Sequence, residues 1–203
     1  MVRGDTNQGE GRKLIMKHFS NLTLLFFLFS ISSFSQKSFI PDTSLNRKIC
    51  LLNSSSIINS LGDQRKHIFE DEDLPRVTFI NKRKKNYVIL FGQPGSNINK
   101  FAYFEIGLLV NLKKSKGAIY SSQFDTIFTE SNVHLGMGRD KLIFIKGKPF
   151  KEEKHGKEII LSYKLDKSNA NLFLKRYNMP TYTANYVFLN GALIKFSFGF
   201  DYP

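Results

Sequence analysis

The most constraining feature of the chain is a β-hairpin close to its C-terminus. In "YTANYVFLNGALIKFSFGF", two runs rich in aromatic and aliphatic residues flank Asn190-Gly191. This dipeptide tolerates the positive φ angles of a type I′ turn, which joins antiparallel strands. Period-two alternation in the second run predicts one face with Ile194, Phe196, Phe198 and Phe200 and another with Leu193, Lys195 and Ser197. We therefore expect an antiparallel sheet whose phenylalanine face packs against another layer.

Other segments carry the same strand pattern. Runs of apolar and aromatic residues, separated by polar turns, predict strands at Arg76–Ile80, Tyr87–Phe91, Phe101–Leu109 and Glu158–Leu165. The stretch from Asp166 to Pro180 is polar and predicts an excursion before the closing hairpin.

Two short helices are predicted between the strands. The first follows N-cap candidates at Ser54–Ser56, carries Ile57, Ile58 and Leu61 on one face, and ends at Gly62. The second covers Arg139–Lys146, between an entry at Gly138 and an exit at Gly147. The glycines around this helix are explained by turn geometry, without a ligand-binding loop.

These elements predict an α+β fold, in which short helices pack on an antiparallel sheet in two helix-plus-sheet repeats. The first unit covers residues 53–129 and the second covers residues 130–203. A polar linker containing Pro41 is predicted over residues 37–52.

The N-terminal region has the pattern of a secretory signal. From Met16 to Gln36, Lys17 precedes an apolar core at Leu22–Phe29, which is too short to span a bilayer, and serines follow it. We expect cleavage near Ser35 or Gln36 and translation from Met16, so that residues 1–15 are an upstream extension that does not fold. The mature chain is then exported, either to the periplasm or to the exterior.

Charge is the unusual global property. The formal net charge is +13, and removal of residues 1–36 takes away four cations and two anions, which leaves +11. Such a surplus favours an anionic partner or a solvated basic surface. Because an exported chain does not meet cellular nucleic acid in quantity, the sequence favours an anionic membrane or polysaccharide over nucleic acid.

Cys50 is the only cysteine, which excludes an internal disulfide. It lies well past the signal, whereas a lipoprotein cysteine follows the signal directly, so we expect no lipid anchor. Its apolar neighbours predict a free, buried thiol.

The titratable residues give no catalytic or metal-binding pattern. His67, His134 and His155 have no partners at the spacing of a triad or a metal site. Glu152 and Glu153 are adjacent, and adjacent strand residues face opposite ways. We therefore predict a protein that is not an enzyme and needs no cofactor or metal.

The C-terminal part resembles a known family. The order "NVHLGMGRDKLIFIKGKP", "EIILSYKL" and "YVFLNGALIKFSF" is similar to the SmpA/OmlA (BamE-like) domain over roughly Glu130 to Pro203. The tandem plan loosely resembles β-lactamase inhibitory proteins. The resemblance implies a non-enzymatic role in protein binding or envelope assembly. BamE-like members are typically lipoproteins, a point on which this chain departs.

Two function classes stay open after these observations. The first is a module that binds an envelope or secreted protein, and the second is a binder of anionic lipid or polysaccharide at the envelope surface; a secreted hydrolase is a weaker third reading. The candidate binding residues are Lys82, Arg83, Lys84, Lys85, Tyr103 and Tyr182. The four cations are expected at a hairpin tip, where they could contact anions or simply protect strand edges.

Overall fold

A computed structural model describes residues 38–63, 69–70, 74–93, 99–112, 119–166 and 172–201. The predicted extension (1–15) and signal peptide (16–36), together with His67, lie outside the described residues. The described residues belong to one compact unit, Lys37–Pro203. Within them, no helix is both long and apolar enough to cross a membrane.

Eleven strands and three α-helices are present in the described part of the chain. The strands are β1 (Ser44–Leu45), β2 (Ile49–Cys50), β3 (Phe69–Glu70), β4 (Pro75–Ile80), β5 (Asn86–Gly92), β6 (Phe101–Leu108), β7 (Ile119–Ser121), β8 (Lys151–His155), β9 (Glu158–Asp166), β10 (Thr181–Leu189) and β11 (Ala192–Asp201). The helices are α1 (Ser54–Leu61), α2 (Arg139–Lys146) and α3 (Leu172–Tyr177), with a 3-10 turn at Leu109–Asn111.

Nine of the described strands form one sheet, in the order β3-β4-β5-β6-β11-β10-β9-β8, with β7 also paired to β4. Neighbours along this order are antiparallel, and only the β4–β7 pairing is parallel. The predicted α+β fold with an antiparallel sheet is confirmed. Strands β1 and β2 form a separate small hairpin.

The two predicted units contribute to a single sheet. Strands β3 to β6 run inward from one edge and β8 to β11 run inward from the other, and the halves join where β6 pairs with β11. The repeat plan is not confirmed, because the halves differ in detail. The first includes the parallel strand β7, and the second includes α3 and longer strands.

One face of the sheet forms the core. Aromatic side chains of neighbouring strands pack across it, with ring centroids 5.5 Å apart for Phe104 and Phe198 and 5.6 Å apart for Tyr163 and Tyr186. The helices complete the layer with side chains such as Ile57, Leu142 and Leu174. Because the chain has no internal disulfide, the burial of these aromatic and aliphatic side chains must help to overcome the conformational entropy lost on folding, without a covalent cross-link.

The closing hairpin agrees with its prediction in the turn and differs in one strand position. Asn190 and Gly191 have φ angles of 51° and 80°, as a type I′ turn requires. A register shift between Val187 and Phe188 then moves Leu193 into the core, where it is 1% exposed, and leaves Ile194 half-buried. The prediction that Ile194 belongs to the buried face was wrong because a bulge breaks strict alternation.

The helices lie close to their predicted positions. Helix α2 has the predicted bounds, and Gly147 takes a positive φ of 82° after it. Helix α1 is capped by the side chain of Asn53, which accepts a hydrogen bond from the Ser56 N–H, in place of the serines predicted for that role. Helix α3 lies inside the stretch predicted as a polar excursion and buries Leu174.

The segment predicted as a linker is instead part of the folded body over residues 38–52. Leu45 and Ile49 of the β1–β2 hairpin are fully buried. Glu130 accepts hydrogen bonds from Thr43, at 3.0 Å from both its N–H and its hydroxyl, and from Ser44. These contacts tie the segment to a loop more than eighty residues away in sequence.

A buried ion pair fixes this N-terminal segment to α2. Lys146 Nζ lies 2.6 Å from Asp42 Oδ2, and both side chains are 0% exposed. Lys146 also donates to the Ile40 carbonyl at 2.9 Å, while Asp42 accepts from Ser131. The Tyr182 hydroxyl donates to the Asp42 carbonyl at 2.6 Å. Removing both charges from water is costly, so the pair depends on this complete set of partners.

Candidate functional site

The face of the sheet opposite the helices carries the best-ordered polar surface. Strand register places three cross-strand rows there: Tyr87, Gly107 and Lys195; Ile89, Glu105 and Ser197; and Phe91, Tyr103 and Gly199. We call Tyr87, Tyr103, Glu105, Lys195 and Ser197 the tyrosine face. They come from β5, β6 and β11, the central strands of the sheet.

Hydrogen bonds fix these side chains to one another. The Tyr87 hydroxyl donates to Glu105 Oε1 at 2.9 Å, and Lys195 Nζ lies 2.8 Å from Glu105 Oε2. The Tyr103 hydroxyl donates to Ser197 Oγ at 2.8 Å. The polar groups are therefore preorganised before any partner arrives.

Two glycines make room for the tyrosine rings. A Cβ atom added at Gly107 would lie 2.5 Å from Cε1 of Tyr87. At Gly199, with a φ of +150°, it would lie 2.3 Å from the Ala102 carbonyl oxygen and 3.0 Å from Cδ2 of Tyr103. Each ring thus lies close over a strand position that only glycine can occupy without displacement.

Exposure differs among the members of the tyrosine face. Tyr87 is 3% and Ser197 is 6% exposed, whereas Tyr103 and Glu105 are half-buried and the Lys195 side chain is 40% exposed. Burial, followed by the charge of Glu105, raises the pKa of Tyr87. Burial also raises the pKa of Tyr103, although its hydrogen bond to Ser197 opposes this shift. Both tyrosines are neutral hydrogen-bonding groups near neutral pH.

The predicted cations lie at the β4–β5 turn. Lys82, Arg83, Lys84 and Lys85 are all exposed. Asn81 supports the turn from below: its Oδ1 accepts from the N–H groups of Lys85 and Asn86 at 2.9 Å, and its Nδ2 donates to the Asp125 carbonyl at 2.7 Å. The turn holds its cations on a fixed backbone, which we call the basic tip.

The sequence-predicted binding residues do not form one site. Tyr103 lies in the tyrosine face, in the row furthest from the basic tip, about 17 Å away along β5. Tyr182 is 0% exposed in the core and bonded to Asp42, so it cannot contact a partner in this structure. Its prediction as a surface anchor was incorrect, because alternation with Ala184 and Tyr186 places it on the buried face.

An open cavity lies at the base of the basic tip. Its volume is about 480 Å³, and it is lined by Asn86, Thr126, Ile127, Phe128, Asn132, His134 and Leu135. This volume lies in the range of small-ligand pockets. The cavity is open to solvent, and its walls combine apolar side chains with amides, the Thr126 hydroxyl and the imidazole of His134, whose Nδ1 contacts the Leu135 carbonyl oxygen at 2.9 Å.

The remaining titratable residues are dispersed. His134 and His155 are exposed, and Glu152 pairs with Arg139 at 2.7 Å while Glu153 pairs with Lys151 at 2.9 Å, on opposite sides of β8. Among the described residues, no group of three or more His, Cys, Asp or Glu side chains is placed to hold a metal ion. Cys50 is a free thiol and is half-buried, rather than fully buried as predicted.

Sequence reasoning missed most of the tyrosine face. It placed Lys195 and Ser197 opposite the phenylalanines, but it gave no role to Tyr87 or Glu105. The available signal was the glycine inside each of β6 and β11, since glycine in a strand marks a close approach of another group. Which tyrosine covers which glycine depends on strand pairing, which the sequence does not specify.

Comparison of the chain with protein-family models, with curated proteins and with solved structures finds no match in any of the three. The resemblance to the BamE-like domain and to β-lactamase inhibitory proteins therefore stays a prediction.

Proposed function

We propose that the chain is an exported, non-enzymatic module that binds another envelope or secreted protein through the tyrosine face. The observation that carries this proposal is the fixed position of the half-buried Tyr103, which is bonded to Ser197 over Gly199, next to Glu105, whose carboxylate is held by the buried Tyr87. Tyrosine is enriched in protein interfaces because it offers a large apolar ring with a polar tip and little conformational entropy to lose.

The chemistry of the face favours recognition over turnover. Glu105 already shares its carboxylate between Tyr87 and Lys195, so each of its oxygens is held by one donor. The proposal includes export to the periplasm or the exterior without a lipid anchor, as the signal pattern at Met16–Gln36 and the position of Cys50 predict. It requires no cofactor.

A site-specific photocrosslinker tests this function. It is introduced at Tyr103 in the mature chain and, as a matched control, at Lys175 of α3, which is exposed on the helical side. After irradiation in native envelope extract, we expect one protein to be crosslinked at position 103 and not at position 175. The crosslink should persist at high salt, because a contact centred on aromatic side chains is weakly screened.

A result in which both positions crosslink the same mixture of proteins, or in which neither position crosslinks any, would falsify the proposed protein-binding face. If a Glu105→Ala variant remains folded but loses the specific crosslink, the partner also contacts the row that contains Glu105.

A second candidate function is binding of anionic lipid or polysaccharide by the basic tip. The exposure of all four cations on a turn supported by Asn81 favours it. Binding by the tip should weaken steeply with ionic strength and should be lost when Lys82–Lys85 are all replaced by alanine. Retention of salt-sensitive binding by that variant would exclude the tip as the binding surface.

A further inference from the structure

Two phenylalanines are exposed at the corner where α2 leads into β8. Phe144 is 81% exposed and Phe150 is 74% exposed. On α2, Leu142 and Lys146 point into the protein, so helical periodicity directs Phe144 outward. The core has abundant phenylalanine, and these two side chains take no part in it. Neighbouring large apolar groups left in water mark an interaction surface.

The backbone that carries these rings is fixed at both ends of α2. Arg139 Nη2 bonds both carboxylate oxygens of Glu152 at 2.7 and 3.0 Å, and the Tyr163 hydroxyl donates to the Gly147 carbonyl at 2.9 Å. The Phe150 N–H donates to the Ser162 carbonyl at 2.8 Å. Helical rise and extended chain length limit the distance between the Cα atoms of Phe144 and Phe150 to about 15 Å. The two rings therefore project from one supported corner.

Cations surround this corner. Lys141, Lys148 and Lys154 are exposed, and no ion pair joins any of them to another residue in the described part of the chain. Lys148 stands between the two phenylalanines in sequence. The acidic neighbours are each paired with a cation: Asp140 and Glu152 with Arg139, and Glu153 with Lys151. The charge available to a partner at this corner is positive.

The combination favours a lipid surface over a protein. Aromatic side chains insert at the boundary between headgroups and acyl chains, and each lysine near an anionic membrane contributes about 1 kcal/mol. A stable protein interface, in contrast, needs roughly 1,000 Å² or more, far beyond what two phenylalanines supply. The strongly basic mature chain, at +11, adds long-range attraction toward anionic lipid.

We propose that the α2–β8 corner docks on an anionic lipid bilayer, with Phe144 and Phe150 inserted at the headgroup boundary and Lys141, Lys148 and Lys154 beside lipid phosphates. This inference shares an anionic target with the second candidate function and does not otherwise depend on it. It assigns the contact to the opposite edge of the sheet, five strand spacings or about 24 Å from the basic tip.

Vesicle flotation tests the proposal with the full mature chain. The probes are phosphatidylcholine vesicles with and without phosphatidylglycerol at low salt. We expect the wild type to float only with the anionic vesicles. A Phe144→Ser/Phe150→Ser variant should lose about tenfold or more in vesicle affinity, since a tenfold change corresponds to only about 1.4 kcal/mol.

The matched control is Val110→Ser/Leu172→Ser, which removes two apolar side chains that are 86% and 79% exposed elsewhere on the surface. It should bind vesicles as the wild type does. Because all four side chains are exposed, both variants should unfold at the wild-type temperature, which a thermal scan verifies.

Three outcomes would overturn the proposal. In the first, the wild type does not float with anionic vesicles. In the second, the phenylalanine variant binds as well as the wild type, or the Val110/Leu172 control is equally impaired. In the third, replacement of Lys82–Lys85 by alanine abolishes flotation, whereas loss of both phenylalanines does not. That result would support the second candidate function and show that the α2–β8 corner does not bind the vesicles. A change in self-association without vesicle binding also counts against lipid, and indicates a second protein copy.

Discussion

Two lysine–carboxylate pairs of similar length lie on opposite faces of the same sheet. Lys146 and Asp42 are 2.6 Å apart and fully buried on the helical side, whereas Lys195 and Glu105 are 2.8 Å apart, with side chains 40% and 20% exposed, on the tyrosine face. The difference in solvent access decides what each pair does. The buried pair is an obligatory part of the packing, while the exposed pair orients a surface.

The tyrosines repeat this contrast. On the helical side, Tyr182 and Tyr186 are fully buried, and the Tyr182 hydroxyl is bonded to a backbone carbonyl. On the other face, the Tyr87 hydroxyl bonds the half-buried Glu105, and the half-buried Tyr103 bonds Ser197, which is 6% exposed. The same residue type therefore supports the fold on one face and presents polar groups on the other.

The largest expected effect comes from breaking the buried pair. Lys146→Met leaves the Asp42 carboxylate without its cation in the core, so we expect a loss of about 3–5 kcal/mol in the free energy of unfolding. Urea denaturation followed by circular dichroism measures it. The matched variant Asp42→Asn/Lys146→Met removes both charges and keeps an acceptor for Ser131, and it should recover most of the loss. Equal destabilisation in the two variants would show that shape, rather than charge pairing, governs this site.

Alkaline pH should destabilise the fold through its buried tyrosines, which include Tyr87 on the tyrosine face as well as those of the helical side. Burial raises the pKa of Tyr182 well above the usual value, with smaller contributions from Tyr186 and Asp42. Burial also raises the pKa of Tyr186 well above the usual value, with a smaller contribution from Asp42. Burial also raises the pKa of Tyr163 to about 12. The folded state holds these protons after the unfolded state has lost them, so stability is fully present below about pH 10 and declines above it.

The slope should increase through pH 10 toward a limit of about 1.4 kcal/mol per pH unit for each tyrosine that must stay protonated. Denaturant midpoints between pH 9 and pH 11, combined with ultraviolet detection of tyrosinate, give this slope. A Tyr186→Phe variant should reduce this slope by about the contribution of one tyrosine. Stability that is constant through this range would show that the buried hydroxyls ionise without unfolding.

The predictable part of the fold was local. Helix α2 and the Asn190-Gly191 turn follow from glycine positions and short-range periodicity, and β4, β5, β6 and β9 were found to within one residue or two at each end. The segment over residues 38–52 was missed because its structure depends on distant partners. Asp42 and Thr43 are polar and look like linker residues until Lys146 and Glu130 are placed beside them.

The candidate site was less predictable for a related reason. The basic tip follows from composition and turn position, whereas the tyrosine face requires the register of three strands. The same register governs Tyr182, whose own alternation with Ala184 and Tyr186 could have placed it in the core. Lys146 is a further case, since a lysine is rarely fully buried and only its helical spacing from Leu142 indicates that it points inward.

Gly199→Ala tests the packing of the tyrosine face with an intermediate expected effect. The new Cβ would lie 2.3 Å from the Ala102 carbonyl oxygen, which belongs to backbone and cannot rotate away. The positive φ of 150° adds strain for any side chain. We expect a loss of about 1–3 kcal/mol, measured by urea denaturation. Gly136→Ala is the control, because it also has a positive φ, 86°, but has no atom within 4 Å of the added Cβ. The excess loss at position 199 reports the close approach of β6.

The exposed pair should give the smallest effect. Lys195→Met removes the cation beside Glu105 but leaves that carboxylate with the Tyr87 hydroxyl and partial access to water. We expect a change of about 0–1 kcal/mol in unfolding free energy. Lys151→Met, which breaks a more exposed pair with Glu153, sets the surface baseline in the same assay.

If Lys195→Met costs as much as Lys146→Met, the tyrosine face is part of the structural core and the contrast between the two faces fails. If its cost stays at the surface baseline while crosslinking from position 103 declines, the pair serves binding rather than stability.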